Sequence, residues 1–133
     1  MGSVTIRVCG STPTAYGNNG ERDWRNAVAA SAENYRDMVN DVNKQTEFRI
    51  SIDFFLNKQI TKEPDIDNLA VSTLNTLYKK DSRSNKKNGN SINDLPAGAP
   101  FPKCSDSQVV ELHLKKIYVA TKQQEGANIE INW

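Results

Sequence analysis

Three aspartates are the residues best suited to chemistry in this chain: Asp65, Asp67 and Asp106. The stretch Pro64-Asp65-Ile66-Asp67-Asn68-Leu69 sets two carboxylates where an extended segment should hand over to a helix. Asp106-Ser107-Gln108-Val109 sets a third at the mouth of a strand. Pro64 forces extended backbone on Glu63, and residues two apart on extended backbone point to the same side. Hard divalent cations such as Mg²⁺ take oxygen ligands and keep open positions for a phosphate oxygen. Carboxylates that converge from a helix start and a strand start would supply such a shell, and without a cation they would raise one another's pKa. Two plainer readings compete. Asp67 and Asn68 can cap the free N–H groups of a helix start. A calcium loop opening at Asp65 fails, because its fifth, sixth and twelfth places hold Leu69, Ala70 and Thr76 instead of an oxygen ligand, a glycine and a glutamate.

Other chemistry finds little support. His113 is the single histidine and falls on the polar side of a strand with Glu111 and Lys115, so neither a zinc site nor a catalytic triad has its partners. Cys9 and Cys104 are too few and too far apart for a disulfide framework and read as lone thiols in a reducing compartment. Asp53, on the polar face of the Phe48–Leu56 strand, suits either an acid supporting the site from behind or, the plainer reading, an exposed strand residue. The run Lys79-Lys80-Asp81-Ser82-Arg83-Ser84-Asn85-Lys86-Lys87 carries five basic residues against one acidic. It suits either a solvated basic loop or an arm gripping a DNA backbone.

The elements that must position these groups are legible from periodicity. Val4 to Val8 alternates as a first strand, and residues 10–20 are a Gly/Asn/Ser/Thr loop. Trp24, Val28, Ala32, Tyr35, Val39 and Val42 mark one face of a helix about five turns long. Phe48, Ile50, Ile52, Phe54 and Leu56 alternate strictly as a second strand. A second helix is expected from near Asp67 to near Tyr78. Residues 79–103 hold three prolines and almost no periodic apolar signal, and read as a long flexible basic loop. A long strand follows around Val109–Tyr118, and a short last strand covers Asn128–Trp133, with Gly126 turning a hairpin between them. The order β-α-β-α-β-β describes an α+β fold with a single mixed β-sheet and two packed helices.

At 133 residues, with 37% apolar and 25% charged positions, the chain suits one domain over residues 1–133. No apolar run approaches the ~20 residues that span a bilayer, and the N-terminus lacks a signal pattern. The formal net charge of +1 says nothing for or against nucleic acid, which needs only a local basic surface.

The two aspartate motifs, in this order and context, resemble those of the RusA family of Holliday junction resolvases. Asp65, Asp67, Asn68 and Leu69 match a D-[IL]-D-N-L motif on a helix start; Asp106, Gln108 and Val109 match a D-[DS]-x-Q-V motif opening a strand. The likeness covers roughly Val4 to Val119. It implies a Mg²⁺- or Mn²⁺-dependent endonuclease that resolves four-way DNA junctions in recombination and repair as a homodimer. The setting implied is the bacterial cytoplasm, with a phage or prophage gene. Asp65, Asp67 and Asp106 would be the metal ligands and catalytic residues, with Asn68 orienting a carboxylate or a metal-bound water from behind. Lys62, Lys79, Lys80, Arg83, Lys86, Lys87 and Lys103 are the expected DNA contacts. Arg22 and Arg25 follow a loop from which the family usually presents basic residues to DNA, but this chain has no Lys or Arg between Gly10 and Gly20, so that loop is assigned no DNA contact. Three departures stand out: Val71 replaces a family lysine, Ser105 replaces an acid, and the segment before Asp106 is long. The alternative is a junction-binding protein that keeps the fold and has lost turnover with that lysine.

Overall fold

In the computed structural model, residues 2–39, 41–57, 63–78 and 95–133 are described. Four strands form one mixed sheet: β1 (Ser3–Cys9), β2 (Phe48–Asn57), β3 (Val109–Val119) and β4 (Gly126–Asn132). Helices α1 (Glu21–Glu33) and α2 (Ile66–Leu77) complete the α+β domain. The spatial order is β1-β4-β2-β3. β4 runs antiparallel to both β1 and β2, and β3 runs parallel to β2. β1, β2 and β3 therefore point the same way, and their C-terminal ends share one end of the sheet.

Strict alternation dictates which face is covered. Val4, Ile6 and Val8, then Phe48 through Leu56 at every second place, then Ala127, Ile129 and Ile131 are all buried. Trp24, Val28 and Ala32 of α1 and Leu69 and Leu77 of α2 close over them in one core. The opposite face, with Thr5, Arg49, Ser51, Glu130 and Asn132, is exposed. α2 is the crossover that joins parallel β2 and β3, so it starts at the C-terminal ends of the strands and finishes at their N-terminal ends. Its twelve residues cover about 18 Å at the helical rise.

Three expectations need correction. The first helix stops at Glu33, and a 3-10 turn at Arg36–Met38 follows. Tyr35, Val39 and Val42 still reach the core, because apolar spacing records which side faces inward and not whether the backbone stays helical. β3 and β4 form no hairpin, since β2 lies between them. Gly126 sits at φ +153, where a Cβ would collide with the Val8 carbonyl oxygen. Its role is close approach of β4 to β1. Finally, the expected flexible loop is packed from Leu95 onward. Gly98, Ala99 and Phe101 donate backbone hydrogen bonds to Tyr78, Thr76 and Leu77, and Phe101 stacks on Tyr78 with ring centroids 5.1 Å apart. The earlier part of that loop, 79–94, lies outside the described residues.

Candidate functional site

Asp65 stands at the N-cap of α2 in extended conformation (φ −71, ψ 141), and its side chain makes no capping hydrogen bond. Asp67, in the first turn, accepts the Asn68 N–H at 3.0 Å. Capping therefore accounts for Asp67 in part and leaves the Asp65 carboxylate uncommitted to the helix. Asp65, Asp67 and Asn68 are all exposed. The Asn68 carbonyl accepts from the Tyr16 N–H at 3.2 Å, which ties the 10–20 loop to the helix start. Two expected site carboxylates thus sit together at the C-terminal ends of the parallel strands, the end where open α/β sheets generally bind ligands.

Asp106 is placed at the other end. It opens a 3-10 turn, Asp106–Gln108, that runs straight into β3. Ser105 caps this turn, accepting from Ser107 N–H at 3.2 Å, while its own N–H donates to Gln108 Oε1 at 2.9 Å. Gln108 Nε2 donates to the carbonyls of Asn43 and Thr46, each at 2.9 Å, pinning the start of β3 to the turn before β2. Asp106 also lies near Tyr78, the residue that ends α2: burial pushes the Tyr78 phenol up, with Cys104 and Asp106 adding to it. The expected convergence of all three aspartates within one chain is therefore not met. α2 separates the two motifs by its full length, because a parallel crossover starts at one end of the sheet and returns to the other. Among the described residues, no three His, Cys, Asp or Glu side chains are gathered to hold a metal ion.

Beside Asp65 the structure instead assembles a cluster that sequence reasoning missed. Glu63 Oε1 accepts a hydrogen bond from the Tyr118 hydroxyl and lies 3.2 Å from Lys116 Nζ. The Tyr118 hydrogen bond, then that of Lys116, holds the Glu63 carboxyl below its ordinary value, and the same bond raises the Tyr118 phenol. Register places Leu112, Leu114, Lys116 and Tyr118 opposite Ile50, Ile52, Phe54 and Leu56, on the face that the helices cover. The available signal was a lysine at a position whose period-two neighbours are apolar.

The remaining candidates divide cleanly. Lys62, Lys79, Lys80, Arg83, Lys86 and Lys87 lie outside the described residues. Lys103 is exposed, close in sequence to Asp106. Arg25 is buried and donates to Thr76 Oγ1, the Asn75 carbonyl and the Pro96 carbonyl, so it pins α1 to α2. His113 is exposed 3.6 Å from Glu111. Neither cysteine is in a disulfide. Val71 is 42% exposed on α2. No helix of the described residues is long and apolar enough to cross a membrane. Compared with protein-family models and with curated protein sequences, the chain finds no match.

Proposed function

We propose that the protein is a Mg²⁺-dependent endonuclease of RusA type that resolves four-way DNA junctions as a two-fold homodimer. The observation that carries this reading is the separation of the two aspartate motifs to opposite ends of one β2-α2-β3 unit, whose outer strand is the edge of the sheet among the described residues. Antiparallel pairing of two β3 edges about a two-fold axis would carry Asp106 of a second copy to the α2 entrance of the first. The same rotation would complete the second site, as an isologous contact requires. Two equivalent sites suit a substrate that presents two equivalent strands.

In this arrangement Asp65 and Asp67 of one copy and Asp106 of the other would hold the cation, and Asn68 would orient one carboxylate. Mg²⁺, when bound, supplies polarisation of the scissile phosphate and a lowered pKa for the attacking water. The water oxygen bonds to phosphorus as the P–O3′ bond breaks. One proton leaves the water, and the 3′ oxygen takes one up. The C-terminal ends of the strands and the uncommitted Asp65 carboxylate support the choice of this end of the sheet.

The test is nicking of a synthetic four-way junction, with linear duplex and EDTA as controls. Asp67→Asn and Asp106→Asn should each abolish nicking. Mixed in equal amounts, they should restore about a quarter of the parent's competent sites, because half the dimers carry one intact site. A parent that never nicks in Mg²⁺ removes the nuclease reading. A mixture that forms mixed dimers and stays inactive removes the shared site. A junction binder without turnover is the second reading, favoured by the uncharged side chain of Val71 on the exposed face of α2.

A further inference from the structure

The Glu63–Lys116–Tyr118 cluster has the form of an anion seat that is already occupied. Two donors, the Lys116 ammonium and the Tyr118 hydroxyl, converge on a single oxygen, Glu63 Oε1. The donors come from one element, β3, two residues apart on the same face, so strand geometry fixes their spacing whatever fills the seat. The acceptor comes from elsewhere, the exposed segment leading into α2. The Lys116 side chain is only 21% exposed and the Glu63 side chain 45%, so the carboxylate can leave more easily than the ammonium can. Glu63 is two residues before Asp65, about 7 Å along extended backbone.

We propose that Lys116 and Tyr118 form a seat for a backbone phosphate oxygen of DNA, with Glu63 as an internal stand-in that the phosphate displaces. A phosphate oxygen offers what the carboxylate oxygen offers, a full negative charge and open lone pairs. Lys binds it as a compact point charge. Placed here, the seat fixes the strand next to the scissile position. It adds the cation that α2 does not present at Val71. The identification of the anion as DNA rests on the reading above, whereas the seat itself rests on the two donors.

Junction binding in EDTA, followed against salt, tests the seat without any turnover. Glu63→Gln removes the competitor's charge and should tighten binding about threefold. Lys116→Met should weaken binding about tenfold and lower the slope of log K against log salt by about one. Lys116→Arg should restore the slope, and Tyr118→Phe should weaken binding about threefold with the slope unchanged. Melting temperature measured on each variant excludes unfolding as the cause. Unchanged affinity and slope in both Glu63→Gln and Lys116→Met would overturn the proposal. Tight, seat-dependent binding by a parent that cleaves nothing would uphold the seat and remove the nuclease. A parent that binds no junction overturns both.

Discussion

At the scale of single residues, charge and exposure decide what each position can do. Val71 is half out in solvent, so a lysine placed there keeps its ammonium in water and pays no burial cost. Val71→Lys should therefore melt within about 0.5 kcal/mol of the parent. Lying one turn past Asp67, on the proposed nuclease reading it should raise the single-turnover cleavage rate by about tenfold through charge stabilisation in the transition state, and most clearly in a Lys116→Met background. A stable variant with no gain in either background would show that no cation is needed at this position. The Glu63 cluster carries its own pH signature. Glu63 is held below its ordinary 4.5, so its contribution is present above that value and fades as pH falls through the depressed one. Tyr118 is raised above its ordinary 10.0, so its contribution is complete below that value and fades as pH climbs through the raised one. The difference in melting temperature between parent and Glu63→Gln should accordingly be flat through neutrality and shrink at both extremes. Both groups are exposed, so the effect is small. A difference that keeps growing with acidity would mean that the hydrogen bonds do not form in solution.

At the scale of elements, the two helices share a core, a Trp24 Nε1–Thr73 Oγ1 hydrogen bond of 3.2 Å and one buried cation. Arg25 of α1 reaches Thr76 and Asn75 of α2 and the Pro96 carbonyl beyond it. Glu21 Oε2 stands 3.7 Å away, near enough to pair in charge and too far to hydrogen-bond. Burial pulls the Arg25 pKa down, and Glu21 opposes it. Arg25→Met removes the charge and strands two half-buried carbonyls and the Glu21 carboxylate. It should cost about 3 kcal/mol in denaturant titration. Gly126→Ala should cost at least about 2 kcal/mol, because its Cβ meets a backbone oxygen that cannot turn away. These two positions also mark the limit of what the chain discloses. Alternation along β2 and helical spacing along α2 identify those elements to within a residue or two, because each buries a single face. Arg25, next to a glycine-rich loop, looks like a surface cation; nothing local reveals that Thr76 and Pro96 wait for it. Gly126 looks like a turn, since a turn and a close backbone approach both demand a missing Cβ. The aspartate motifs are visible as motifs, but their distance apart is not. That distance depends on which end of the sheet a crossover returns to, and the crossover's direction is a property of strand pairing over sixty residues.

At the scale of the whole molecule, the outer edge of β3 is what an isolated chain leaves unexplained. It is eleven residues long, and Val110, Leu112 and Tyr118 along it are exposed at 50%, 38% and 48%. A long edge with apolar side chains is a template for another strand unless something covers it. The sequence of β3 is complementary to itself when turned end for end. With the two-fold axis at His113, antiparallel pairing sets Glu111 opposite Lys115 and Leu112 opposite Leu114, twice over. The same register sets Val109 of one copy opposite Ile117 of the other, so the 3-10 turn that carries Asp106 arrives at the Tyr118 end, where Asp65 and Asp67 enter α2. Leu112→Lys puts a positive charge on the face that already holds Lys116, diagonal to it across the pairing, and removes the apolar pair. In one chain the cost should be small, about 1 kcal/mol or less, because Leu112 is already partly in water. Between two chains the change should turn a dimer into a monomer in sedimentation velocity. On the shared-site proposal junction nicking should fall with it, because each site would lose the aspartate proposed to come from the other copy. Glu111→Lys with Lys115→Glu, which swaps the charges and keeps the complementarity, should stay dimeric and active. Should Leu112→Lys remain dimeric, the copies meet elsewhere, and the shared site would need a different axis. Should it become monomeric and still nick at the parent's rate per chain, the three aspartates do not act together.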